Sequence, residues 1–485
     1  MKKVKSLKVN VVLNTIKTLM NIIFPLITFP YVTRILGVNN IGKVNYAQSI
    51  VSYFSLIAAL GITTYATREG SSIRDDKNKL GTFANQVFSI NVLTSCIAYV
   101  ALFICIAFIP QFHNYSLIIL ILSLTIIATT LGIDWVNNIF EDFYYITVRS
   151  IFVQIINLIL LFIFIHQQTD FYKYAFLIVF TQMITAVMNF VYCRRYCKIR
   201  LTKRLNLSKH LKPMLVLFAN NVAVTIYCSA DQTMLGLMSG DYYVGLYAVA
   251  VKVYSMIRSL ISSVFTVCIP RLSTYAGKNQ MDKFLHLINS IFSCLLIIVI
   301  PMSVGLICLA KPIVIVLSGV NYIDAIPTLQ ILSVALDFAI FGGIVTNCIN
   351  IPLKRENTNL VATSIAAIAN IALNIIAIGI MQQNGAAITT ALAEAIVTII
   401  CFLVHRDTIN FFKFSLFWKQ LIESLLGGFL AFAVCRIVSL FISHNLLICL
   451  FSFVIFSSLY LLLLLLFKEK YVYSIFNFIR KRNIK

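Results

Sequence analysis

The sequence is short of charge. Only 12% of its 485 residues are Asp, Glu, Lys or Arg, and just 17 are acidic. A soluble globular domain carries roughly a quarter charged residues, so an ordinary soluble enzyme is excluded. No C-x-x-C occurs among the 12 cysteines, which stand singly and mostly in apolar runs. That argues against a disulfide framework or a zinc site and for small buried hydrophobes. The six histidines form no metal-ligand cluster. The basic start MKKVKSLKVN precedes an apolar run that is too long for a signal peptide and lacks a small-x-small cleavage site, so it reads as a retained first helix.

What is present instead is apolar sequence, at 60% of the chain. Runs long enough to cross a bilayer as helices, roughly 20 residues each, recur from end to end. The expected fold is an all-α polytopic membrane protein with about fourteen transmembrane helices, beginning at 11–36 and 43–66 and closing at 420–442 and 446–467. An even number puts both termini on one side. If that side is inside, the inner segments hold about 30 of the 39 Lys and Arg, while the outer loops hold Lys43, Lys173 and Lys311. This is a positive-inside pattern. It accounts for the net charge of +22 without nucleic acid. The run RRYCKIRLTKRLNLSKHLK, 194–212, reads as a cytoplasmic linker lying on anionic headgroups.

One stretch imitates a nucleotide site. ILGVNNIGKVNYA holds Gly37, Gly42 and Lys43 in the order G-x-x-x-x-G-K, with Val44 where a magnesium-binding Ser or Thr belongs. The stretch lies on the outer side between two helices, away from ATP. A shift of about 203 residues lays LGVNNIGKVNYA (36–47) on SGDYYVGLYAVA (239–250), pairing Gly37 with Gly240 and Gly42 with Gly245 but Lys43 with Leu246. The glycines recur and the lysine does not, which suits tight helical turns. The same shift spans six helices. It therefore predicts parallel repeats: a six-helix bundle at 1–193, the basic linker 194–212, a second bundle at 213–404, and helices 13 and 14 with a cytoplasmic tail at 405–485.

Charges inside spans are costly and point to function. Arg258, Asp337 and Glu394 lie far from any interface in the predicted spans, and Lys252 and Asp231 lie at intermediate depth. Lys17 and Arg34 lie near span ends and can snorkel. The competing reading for each is an ion pair that fixes helix packing. Arg258, near the middle of span 245–269, has no evident partner within that span, which suits a cation whose counter-charge arrives with a cargo. Polar stripes at Asn45, Gln48 or Ser49, and Ser52, and at Asn370 and Asn374, read as interhelical hydrogen bonds or a hydrophilic cavity wall. Pro25 and Pro30 would bend the first span.

The segment DWVNNIFEDFYYITVRS, 134–150, resembles a signature of the Wzx-type polysaccharide flippases, an Asp-Trp followed by Glu-x-aromatic and Ile-Thr-x-Arg. Asp134, Trp135, Glu141, Phe143, Ile146, Thr147 and Arg149 match it; Val136, Asn137 and Ile139 depart from it. FPYVTRILGVNNIGKVNYAQSI, DQTMLGLMSGDYYVGLYAVAVKV, IPRLSTYAGK and GAAITTALAEA are similar to other parts of that family, so the likeness covers nearly the whole chain. The resemblance implies a multidrug-exporter-like fold, no enzyme activity and no cofactor. It implies flipping of an undecaprenyl-pyrophosphate-linked oligosaccharide across the bacterial cytoplasmic membrane by alternating access around a cationic cavity, for capsule, O-antigen or another glycan. Arg258, Lys252, Arg149 and Arg34 would then bind the anionic cargo. Asp231, Asp337 or Glu394 would couple transport to a proton or sodium ion. Expected partners are the lipid-linked substrate, membrane lipids, a polysaccharide polymerase and a chain-length regulator. A small-molecule exporter of the same fold is the first alternative, and a polymerase or lipid-linked glycosyltransferase the second. The latter place catalytic residues on large outer loops, whereas the longest one expected here is 310–324.

Overall fold

A computed structural model of the chain describes residues 7–203, 205–405 and 414–467. The basic N-terminal residues, the C-terminal tail and most of the expected 405–419 loop lie outside the described residues. Within them every regular element is a helix. Along the first half run α1 (Leu7–Ala59), α2 (Ile62–Ser72), α3 (Lys77–Phe108), α4 (Ser116–Gly132), α5 (Asp134–Ile139), α6 (Phe143–Phe164), α7 (Phe171–Cys193) and α8 (Leu207–Met238). The second half has α9 (Asp241–Gly277), α10 (Met281–Cys308), α11 (Ala310–Ser318), α12 (Ile326–Gly343), α13 (Glu356–Val404), α14 (Phe414–Phe441) and α15 (Asn445–Leu466). Long side chains such as Phe108, Ile380, Leu440 and Phe441 point outward from these helices, and their exposure is natural only in lipid.

Among the described residues, eleven helices are long and apolar enough to cross a membrane, or twelve with α8, which bends by 49° between Ile226 and Ser229. The count of fourteen follows only if α1 and α13 each cross twice, and internal contacts favour that. At roughly 1.5 Å per residue, Asn374 and Thr389 would lie about 22 Å apart in a straight helix. Instead Thr389 Oγ1 donates to Asn374 Oδ1 at 2.5 Å. A Cβ on Gly385 would meet the Ala377 carbonyl. Helix α13 therefore folds back on itself at Gln382, whose φ is +47°.

Helix α1 behaves in the same way. Leu13 O accepts from Thr147 in the first turns of α6, whereas Tyr31 reaches Ile165 O just beyond that helix's far end. The second arm returns. Tyr46 packs on Tyr115 just before α4, and Ala58 O accepts from Asn91 and Thr94 beside the α4 C-terminus, where Ser95 bonds Thr130. The reversal falls at Gly37, with φ +74° and ψ 171°. A side chain is strained in that backbone and glycine is not. The phosphate-loop imitation is therefore a turn followed at once by helix.

The chain forms two compact units, 1–248 and 249–485, whose boundary lies within α9. A boundary set by packing need not coincide with the repeat boundary expected at 194–212, because α8 packs on α1 and α2. The basic linker is strapped down as well as basic. Backbone N–H groups need partners, and Arg200 and Thr202 find theirs in Asn85 Oδ1 and Ser89 Oγ of α3. His210 is fully buried between the Tyr65 hydroxyl and Gln86. So 197–203 is anchored to protein, and from 207 the expected linker is already helix α8. Its Arg194, Lys198, Arg200 and Lys203 side chains remain exposed. The described cysteines are all free. Burial pushes the Cys197 thiol of the linker up to about 11, so it is a poor nucleophile near neutral pH.

Candidate functional site

Unit 1 gathers the signature residues at one end. Ile133 and Glu141 both adopt positive φ, and these two kinks carve the six-residue helix α5 out of the chain. Asp142 caps α6 by accepting from the Tyr145 N–H and also accepts from Tyr192 and Tyr196 of the next segment. Arg74 reaches Glu141 at 3.2 Å. Much of the motif thus holds an elbow between the apolar helices α4 and α6.

Arg149 sits behind that elbow, 5% exposed. Its Nη1 donates to Asp134 Oδ1 at 2.8 Å and to Asn189 Oδ1, and its guanidinium lies 5.7 Å from the Tyr145 ring. Lys17 is within electrostatic reach of both Arg149 and Asp134. The structure therefore places Arg149, expected to bind cargo, inside a buried network. Asp134, at 50% exposure, is the member that meets open space. Sequence reading noted Asp134 in the motif but gave it no role. Its partner Asn189, 55 residues on, carried no signal that the sequence alone could show.

A second polar group in unit 1 surrounds Asp231. This buried carboxylate accepts from the Tyr247 hydroxyl at 2.5 Å. Two residues further along, Thr233 bonds both Ser49 and Tyr53, and two residues back Ser229 bonds Ser52. Ser49 and Ser52 of the expected stripe thus lie in a seam between α1 and α8, whereas Asn45 bonds back to Ile41 O within α1. Arg34 lies elsewhere, exposed on the first arm of α1.

Gly42 and Gly245 also meet within unit 1. A Cβ on Gly42 would lie 1.8 Å from the Asp241 carbonyl oxygen, and one on Gly245 would lie 2.2 Å from that of Val38. Adding 203 to 38 and 42 gives 241 and 245, so the two contacts exchange under the sequence repeat. The repeated glycines mark a crossing where two backbones touch.

Unit 2 holds the other candidates. Arg258 Nη1 pairs with Glu394 Oε1 at 2.5 Å, and the Tyr254 hydroxyl lies 3.0 Å from each. Arg258 has a partner after all, from α13, too distant in sequence for spacing to reveal. Two residues expected in separate roles, cargo cation and coupling acid, form one ion pair. Glu394 is 5% exposed and Arg258 37%, so the pair has an open side at the arginine. Asp337 stands apart. Its Oδ2 accepts from Ser303 at 3.0 Å, and its Oδ1 is buried without a partner among the described residues. Lys252 is half-buried on α9, six residues before Arg258. No group of three metal-ligating side chains forms among the described residues.

Comparison with known proteins agrees with this architecture. The family model described as polysaccharide biosynthesis protein matches residues 7–276. A protein of Escherichia coli strain K12 named for O-antigen transport is 24% identical over 411 residues, covering 83% of this chain and 97% of that one. The solved lipid II flippase MurJ in its inward closed conformation superposes with a TM-score of 0.71 at 19% identity, covering 93% of this chain and 98% of that one. An inward-facing multidrug-resistance MATE transporter of the MOP superfamily gives 0.60 at 17%, covering 82% and 95%. At such identities the solved structures speak for the fold, which is multidrug-exporter-like. The polytopic helical architecture fits a multi-pass membrane protein, and the matched family model, over more than half of the chain, establishes that this protein belongs to the polysaccharide biosynthesis protein family.

Proposed function

We propose that the protein flips an undecaprenyl-pyrophosphate-linked oligosaccharide from the inner to the outer leaflet of the bacterial cytoplasmic membrane, by alternating access, with both termini cytoplasmic. Unaided, the pyrophosphate and the sugars would each face a desolvation cost far above thermal energy in hydrocarbon. The observation that carries the reading is Arg258, a cation in the middle of an apolar helix whose side chain keeps an open side while Glu394 holds it. Its planar fork can take two phosphate oxygens at once. Arriving pyrophosphate would compete with Glu394 for the same guanidinium, so cargo binding and release of the acid become one event. Lys252 and Arg34 would supply further positive charge. Asp337 accepts from Ser303 through one oxygen and keeps the other buried without a partner among the described residues, which makes it the best placed of the three acids to take up a coupling proton or sodium ion.

Counting lipid-linked repeat units on the inner leaflet, alongside surface polymer, tests this. Arg258→Ala is expected to abolish flipping with the protein still inserted, Arg258→Lys to keep part of it, and Glu394→Gln to keep more than Arg258→Ala. Normal flipping by Arg258→Ala would sink the reading. Removing both partners of an ion pair is often tolerated where removing one is not. If adding Glu394→Gln to Arg258→Ala restores both protein level and activity, the pair is structural.

A further inference from the structure

Unit 1 encloses a cavity of about 400 Å³ beside the elbow, within the range of small-molecule sites, roughly 300–1,000 Å³. Its polar wall includes Thr63, Asn91, Thr129, Asp134 and Gln182, with Trp135 beside them. Asp134 is the one ionisable residue on that wall. Arg149 neutralises it from behind and is itself buried, so the wall presents no cation to a phosphate. The open hydrogen-bonding positions are of another kind. Asp134 Oδ1 is occupied by Arg149 and Asn189, and its Oδ2 has no partner among the described residues. The Gln182 amide likewise has none, and Asn91 uses its Nδ2 on Ala58 O, which leaves Oδ1. A fixed carboxylate oxygen, two amide groups and threonine hydroxyls suit a ligand rich in hydroxyls that must both donate and accept.

We infer that this cavity is a sugar subsite, taking an uncharged pyranose of the cargo, with Asp134 and Gln182 as the recognising side chains. The inference rests on the flippase reading and deepens it: the unit 1 cavity takes sugar through a carboxylate oxygen, amides and hydroxyls, and its wall offers no cation to the pyrophosphate. Asp134 is fixed before the ligand arrives, because Arg149 and Asn189 hold its other oxygen. That preorganisation spares the entropy of ordering it on binding.

The chain has two tryptophans. With Trp418→Phe, the remaining Trp135 reports from the cavity wall by fluorescence in the full-length purified protein. The probes are a short prenyl pyrophosphate carrying one pyranose, in a series of hexoses and N-acetylhexosamines, and the same prenyl pyrophosphate without sugar. Asp134→Asn would leave buried Arg149 poorly compensated and risks misfolding, so Gln182→Ala and Thr129→Val, which disturb no interhelical bond, are the decisive variants. Gln182→Ala is expected to weaken binding of the best sugar-bearing probe about tenfold, equivalent to about 1.4 kcal/mol, and the sugar-free probe by less than about twofold. Equal weakening of both probes, or no weakening of either, overturns the subsite. A wild-type protein that binds the sugar-bearing probes no better than the sugar-free one overturns the subsite and leaves the flippase reading standing. A wild-type protein that binds neither better than the neutral prenyl alcohol overturns the flippase reading and the subsite with it.

Discussion

Arg149 is held by Asp134, Asn189 and the Tyr145 ring, and its guanidinium is out of reach of anything that does not first open the elbow. Removing Arg149 takes a charged donor from buried Asn189 and the counter-charge from half-exposed Asp134, a loss of about 1–3 kcal/mol. Arg149→Ala is therefore expected to lower the amount of folded protein and its melting temperature in detergent before any transport defect is read. Arg149→Lys should recover part of this, because an ammonium can replace the single Nη1 donor to Asp134 and Asn189 but not the planar guanidinium beside the Tyr145 ring. A stable, fully expressed Arg149→Ala protein that fails to flip would instead return Arg149 to the cargo site. Arg258 differs at this scale. Its exposure leaves room for a ligand, and its partner Glu394 is buried on another helix, so the same residue type serves packing in one unit and is available for recognition in the other.

Helices α1 and α13 are each far longer than a bilayer is thick and reverse within one residue, Gly37 in one and Gln382 in the other. The motif that imitates a phosphate loop is the first of these reversals together with the close crossing that follows it. Lys43 lies 5.4 Å from the Phe171 ring, within electrostatic reach of Asp241, and takes no part in the turn's backbone. Lys43→Ala should leave transport nearly intact. Gly42→Ala and Gly42→Val should be damaging, because the backbone atom they would strike cannot swing away as a side chain could, and Gly245→Ala should fail for the equivalent reason. Transport assays on protein normalised for membrane level check both halves. An inactive but well-inserted Lys43→Ala protein would revive a phosphate-binding role for that lysine.

For the whole molecule, the orientation is the next quantity to measure. The basic 194–212 segment is expected to be cytoplasmic and the 310–324 segment external. Lys203 and Asn321 are both exposed, so each can report. In a cysteine-free background, an impermeant thiol reagent applied to intact cells should label Asn321→Cys and spare Lys203→Cys. Labelling of Lys203→Cys in those cells would reverse the orientation. The thiols to be removed include Cys193 and Cys197, both buried in the core of unit 1, so the background needs its own check of transport.

Hydropathy and charge distribution by themselves determined the class of the protein. A bilayer admits little besides long apolar helices, and basic residues accumulate on one side of it, so these properties are written along the chain and need no tertiary contact to be read. The repeated glycines were legible for the same reason, since a turn and a close crossing act on the backbone locally. The flippase-like motif was legible as a likeness, while its physical work was not. Only the tertiary structure decided that Arg149 belongs to Asp134 and Asn189, that Arg258 belongs to Glu394, and that Asp134 is the acid facing a cavity. Arg258 and Glu394 are 136 residues apart. Which charges meet depends on how helices rotate and pack, and in a membrane that is set by the sum of many small van der Waals and hydrogen-bond contacts between distant segments. No periodicity within a single helix carries that information.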